Sequence, residues 1–147
     1  MSAICFVDTN LLVYFHDRDQ PEKRELAARW MRLLWRKRAG RTSFQVLNEF
    51  YVTVTRKLSP GLEREQARRV IRDLILWRPT AVDAPVLEGG WALQDRYSLS
   101  WWDALIVSAA QRLGCSHLLS EDLRHDLVVG DLRIANPFLV EPEGLFG

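Results

Sequence analysis

Cysteine is scarce in this sequence, with two residues in 147, Cys5 and Cys115. Both sit inside apolar stretches, 3–7 and 114–119, without metal-type spacing. A disulfide framework and a thiolate-held zinc are therefore set aside, and buried free thiols in a reducing compartment are expected. Histidine is nearly as scarce: His16, His117 and His125 are scattered, with neither a triad partner nor ligand spacing. Neither sign of charge prevails, since 20 Lys and Arg against 19 Asp and Glu leave a net +1. That excludes a global field for binding nucleic acid or membrane in bulk. No apolar run approaches the roughly 18–20 residues of a membrane helix, and Asp8 and Asn10 break the first apolar stretch early. A cytoplasmic chain with no membrane partner is expected. No glycine-rich phosphate loop is present, which disfavours nucleoside-triphosphate chemistry.

What is present is the balance of a globular protein, 48% hydrophobic and 27% charged. The length suits one domain, with no linker or internal repeat, so a single domain over 1–147 is expected. The apolar run Cys5-Phe6-Val7 reads as an interior strand of a parallel sheet, followed by a short helix through Phe15. Pro21 opens a second helix, which Gly40 is expected to end. Arg41-Thr42-Ser43 reads as a strand, and Leu47, Phe50, Tyr51, Val54 and Leu58 make the stripe of a third helix. A fourth helix runs from Glu63 to Trp77, a fifth begins at Pro85, and a sixth runs from the Ser100 cap to Gly114. Thr80-Ala81-Val82, His117-Leu118-Leu119 and Leu132-Arg133-Ile134 read as further strands. Strands alternating with helices predict an α/β fold with a short, mainly parallel sheet flanked by helices.

In such a sheet ligands bind beyond the carboxyl ends of the strands. Asp8 and Asp122 fall there, Glu49 lies on the third helix, and Asp103 lies in the first turn of the sixth. Each also has a plain structural reading. Asp8 can cap a helix, Glu49 can be a solvated charge, and Asp122 can be a turn residue. Asp103 can close a capping box with Ser100, although Asp is a methylene shorter than the usual Glu. Its neighbours Ile106, Val107 and Ala110 place it along a buried stripe, where an unpaired carboxylate costs several kcal/mol. Two unit charges about 4 Å apart repel by about 4 kcal/mol at an effective dielectric of 20. Gathering four carboxylates without a neighbouring Lys or Arg is best explained by a hard divalent cation, Mg²⁺ or Mn²⁺. Such an ion suits phosphodiester hydrolysis.

At this point the sequence resembles PIN-domain ribonucleases, in particular the VapC-type toxins of toxin–antitoxin pairs. The carrying segments are Phe6-Val7-Asp8-Thr9-Asn10-Leu11-Leu12, Asn48-Glu49-Phe50, Trp102-Asp103-Ala104-Leu105-Ile106 and Leu118-Leu119-Ser120-Glu121-Asp122-Leu123. The closing segment 132–138 also matches, so the resemblance spans about 3–138. It implies that Asp8, Glu49, Asp103 and Asp122 surround one or two Mg²⁺ or Mn²⁺ ions, with Asn10 and Ser120 orienting those carboxylates. It further implies a toxin that cuts RNA to 5′-phosphate products, a homodimer, and a cognate antitoxin that occludes the site. Asp126 stands where many relatives carry glycine and adds a negative charge nearby.

Between Arg18 and Arg41 the chain has a net charge of +6, and from His117 onward a net −4. The basic segment is either a solvated helix face or a phosphate-binding patch. Trp30 and Trp77 fit apolar stripes, whereas Trp101 or Trp102 could stack on a base. An aspartyl-phosphate phosphatase would want an acid where Asn10 stands. The rival from another class is a non-catalytic module of the same fold that binds protein or RNA. Apolar residues of the third and fourth helices, Tyr51, Leu62 and Ile75, are expected to offer a surface for the antitoxin.

Overall fold

A computed structural model describes residues 2–146. Its centre is β1 (Cys5–Val7), buried on both faces. This strand lies between β2 (Gly40–Arg41) and β3 (His117–Leu119) and runs parallel to both. β5 (Leu132–Ala135) continues the parallel set beside β3, and β4 (Val128–Val129) closes that edge antiparallel, giving the order β2-β1-β3-β5-β4. The pairings Val7–Leu119 and Leu119–Ala135 set the carboxyl ends of three strands level. The residues that follow them, Asp8 and Ser120 among them, thus emerge at one edge of the sheet.

Helices cover the sheet. They are α1 (Thr9–Tyr14), α2 (Pro21–Lys37), α3 (Phe44–Val52), α4 (Arg64–Leu74), α5 (Ala84–Arg96), α6 (Trp101–Arg112) and α7 (Pro142–Phe146). α3, α5 and α6 each start at a side-chain cap, whereas α2 starts at Pro21 without one. Ser43 accepts from the Val46 N–H, Asp83 from Val86 and Ser100 from Asp103. In α6 an unbroken buried run from Ala104 to Ala110 packs on the sheet and on α5, where Ser108 donates to the Val86 carbonyl. Trp30 of α2 is fully buried, and its indole N–H donates to the Pro137 carbonyl at 2.8 Å. Cys5 and Cys115 are buried free thiols, and burial pushes both up to about 12. No helix among the described residues is long and apolar enough to cross a membrane.

Several boundaries differ from the expectations. α2 ends at Lys37, where Arg38 takes the left-handed conformation (φ 55°), so Gly40 is not its stop. Gly40 instead belongs to β2, because a Cβ there would stand less than 3 Å from the Trp77 indole. The second strand accordingly lies at 40–41 rather than 41–43. Of the segment 80–82 only Thr80 pairs, through a single bridge to Ser43. α6 stops two residues before Gly114, whose φ of 70° turns the chain into β3. β4 and α7 were not anticipated: two-residue strands and single-turn helices carry too little periodicity to read. Beyond Val52, α3 continues as one π-helical turn, Thr53–Lys57. Of the three residues expected to be open, Tyr51 and Leu62 pack against the core, whereas Ile75 is exposed near Trp35 and Leu76.

The close approach at Gly40 gives a test of packing. Gly40→Ala should destabilise the protein by about 1–3 kcal/mol through overpacking against Trp77. A lowered urea midpoint with an unchanged slope would show it.

Candidate active site

The side chains at the carboxyl edge are positioned from the strands outward. Asp8 is the residue after β1 and the N-cap of α1: its Oδ1 accepts from the Thr9 N–H at 2.8 Å. Its Oδ2 accepts from the Ser120 hydroxyl, also at 2.8 Å, a buried bond made possible by the level register of β1 and β3. Asp8 thus does cap its helix and also faces the site. Glu49 projects from the polar side of α3, where its two oxygens accept from Thr9 Oγ1 (2.8 Å) and Gln45 Nε2 (3.3 Å). Asp122 is exposed in the loop after β3. It accepts from Asn10 Nδ2 at 3.2 Å, and its own N–H donates to Ser120 Oγ. Asn10 Oδ1 in turn accepts the Glu121 N–H.

These elements frame an open cavity of about 730 Å³ between α1, α3 with its π turn, and the loop after β3. Glu49, Asp122, Glu121 and Asp17 line it, together with Thr9, Asn10, Tyr14, Asn48, Thr53 and Lys57. Asp8 lies at its buried margin. Burial dominates the state of Asp8 and pushes it up from 3.8 to about 6. The bonds from Thr9 and Ser120 pull it down, and the charges of Glu49 and Asp122 push it further up. Three of the four carboxylates therefore share one field.

Asp103 neither lines that cavity nor hydrogen-bonds to the other three carboxylates. It is half-buried in the first turn of α6. The hydrogen bonds of the described residues connect α6 to the others only through Gln45, which reaches from Glu49 to the Trp102 carbonyl at 3.5 Å. The capping box is half made: Ser100 Oγ accepts the Asp103 N–H, without a return bond from the carboxylate. Asp126 is not part of the cavity wall. It occupies a left-handed position (φ 65°) that glycine would favour, and its charge faces Arg133 and His125. Trp101 stacks on Trp91, while Trp102 is exposed.

Thr9 and Gln45 are the polar partners that sequence reasoning had not picked out for the site. The i, i+4 spacing of Gln45 and Glu49 was the available signal. The donor set suits a hard cation: it offers oxygen only, and Asp8 has no Lys or Arg to offset it. Yet among the described residues no three His, Cys, Asp or Glu side chains are close enough to form a ready-made cage. The carboxylates stand apart, tied to neutral donors.

The raised Asp8 has a signed consequence. Its folded form holds a proton that the unfolded chain releases near 3.8, so its contribution to stability is full below that pH and is lost as pH rises through about 6. Ionised Asp8 costs about 3 kcal/mol at neutral pH. In EDTA, Asp8→Asn should therefore melt about 5–10 °C above the parent at pH 8 and close to it below pH 4. A gap that stays constant across that range would refute the assignment.

Comparison with known proteins agrees with this fold. The PIN domain family model matches residues 5–130. No curated protein matches the chain. Among solved structures, a toxin–antitoxin complex from Klebsiella pneumoniae is 20% identical, covering 90% of this chain and 97% of its own, with a TM-score of 0.61. VapC20 of Mycobacterium tuberculosis, a toxin that cleaves the sarcin–ricin loop, is 23% identical over 80% of this chain and 91% of its own, with a TM-score of 0.60. FitAcB from Neisseria gonorrhoeae is 15% identical over 93% and 100%, with a TM-score of 0.63. At these identities the structural likeness carries the fold, and the family match over most of the sequence carries the membership: the chain belongs to the PIN domain family.

Proposed function

We propose that this chain is a metal-dependent endoribonuclease and the toxin of a toxin–antitoxin pair. The observation that carries the reading is Asp8: a buried carboxylate, raised by burial and by Glu49 and Asp122, with neutral donors around it. A divalent cation relieves that arrangement better than any residue present. Asp8, Glu49 and Asp122 are the groups that would hold Mg²⁺, with Mn²⁺ as a substitute, and Asp103 completes the set from α6. When bound, the ion supplies Lewis-acid polarisation of a phosphoryl oxygen and acidifies a water.

The chain's own residues do the rest. Ser120 and the Thr9 N–H fix both oxygens of Asp8, so its position is set before any substrate arrives. Thr9 and Asn10 hold Glu49 and Asp122 at the cavity wall. Hydrolysis adds water across one P–O bond of the RNA strand. VapC20 supports RNA as the substrate class. The complexes among the neighbours support an antitoxin partner. The apolar groove of about 420 Å³ between α1, α2 and α4, flanked by Trp35 and Leu76, suits an amphipathic antitoxin helix. A homodimer and a cytoplasmic setting belong to the same proposal.

Asp8→Asn and Asp103→Asn should each lower RNA cleavage at least about 10²-fold while leaving the circular dichroism spectrum intact. Unaltered cleavage by Asp103→Asn would remove that residue from the set. Excess Mn²⁺ should raise the melting temperature, by about 2.7 kcal/mol of stabilisation at a hundredfold over its dissociation constant. A wild-type chain that binds RNA and Mn²⁺ without cutting would be a binding module instead.

A further inference from the structure

The π-helical turn after α3 is the one irregularity in a long helix, and it lies on the cavity wall. Its i→i+5 bond runs from the Leu58 N–H to the Thr53 carbonyl at 2.9 Å. π turns cost hydrogen-bond geometry and cluster at functional sites. The rotation explains what this one achieves. In an α-helix four residues overshoot a full turn by about 40°, so Glu49, Thr53 and Lys57 would drift about 80° around the axis. A π turn takes more residues per revolution, so the step from Thr53 to Lys57 falls short instead and cancels the drift. Glu49, Thr53 and Lys57 accordingly all line the same cavity.

Lys57 is the only cation lining that cavity among the described residues. Its partners there are acids or neutral groups, and it has no ion pair among the described residues, whereas Lys23 across the site is tied to Glu121. The basic cluster Arg36-Lys37-Arg38 cannot serve in its place. It sits at the far end of a 17-residue helix, about 25 Å from the helix end that bears Lys23.

We propose that Lys57 binds a backbone phosphate of the RNA strand beside the one that is cut, and that the π turn exists to aim it there. The proposal rests on the nuclease reading of the cavity and names how that cavity engages its substrate. A phosphate contact of this kind carries no base information, so it sets affinity and register rather than sequence preference.

The test compares Lys57→Gln, Lys57→Arg and Arg56→Gln. Arg56 is the charge-matched control: it is exposed, adjacent in sequence and outside the cavity lining. Binding of a labelled single-stranded RNA is measured by anisotropy in Ca²⁺ across a salt series, and cleavage of the same RNA in Mn²⁺. Lys57→Gln should bind several-fold more weakly at low salt, with a salt slope smaller by about 0.7. It should raise KM and leave kcat largely unchanged. Lys57→Arg should restore affinity, and Arg56→Gln should behave as the parent. Equal losses in Lys57→Gln and Arg56→Gln, or no loss in either, would overturn the proposal. If the parent binds but does not cut, the nuclease reading falls while the affinity comparison still decides the role of Lys57. If the parent does not bind, both fall.

Discussion

The hydrogen bond from Ser120 to Asp8 ties together the carboxyl ends of two neighbouring strands, and the site is arranged around it. It exists because parallel pairing sets Val7 and Leu119 level, so the next residue of each strand leaves the sheet at the same height. The three residues that follow β1 then divide the work. Asp8 stays at the buried margin, Thr9 reaches Glu49 on α3, and Asn10 reaches Asp122 in the loop after β3. A tripeptide that is weak as a sequence motif thus becomes the hub that joins three separate elements. Losing the register of β1 by one residue would send Asp8 to the wrong face and disconnect all three.

A net charge of +1 conceals a polar molecule. The basic helix α2 and the acidic last third of the chain partly neutralise one another, with Lys23 on Glu121 and Arg29 on Glu141 and Glu143. These pairs lie at the surface, half-buried in the case of Lys23 and Glu121, where solvent screening keeps their contribution small. They matter more for what they subtract. With Lys23 and Arg29 engaged, the basic stretch is less of a phosphate surface than its sequence charge implies. The cavity is left with acids along its wall and a single Lys.

The parallel sheet and most helices were legible because they rest on strong local signals. A buried apolar triplet marked β1, Ser100 marked the start of α6, and Pro21 marked that of α2. The failures share a cause in tertiary contact. Gly40 looked like a helix stop and is a packing glycine under Trp77, a residue 37 positions away. The Arg38 left-handed cap has no sequence signal, since glycine is the usual occupant. In the site, Asp8 and Asp122 were picked out as residues following strands, and Glu49 as a charge on the third helix. Their division into one buried and two exposed groups was not readable, because it depends on long-range bonds such as that from Ser120 to Asp8.

That division has an energetic meaning. Asp8 is pinned by two short bonds and raised by its surroundings, so it carries most of the strain of the charge cluster. Glu49 and Asp122 are solvated and held by single bonds to Thr9, Gln45 and Asn10, so their side chains can turn at little cost. A positive charge entering the cavity therefore gains chiefly by relieving Asp8, and the exposed pair adjusts to it. On the function proposed above, that relief would come from a divalent ion or from a basic side chain of a bound protein, two alternative occupants of one electrostatic hole. Either would stabilise the fold, so stability alone would not separate a metal-loaded chain from an inhibited one.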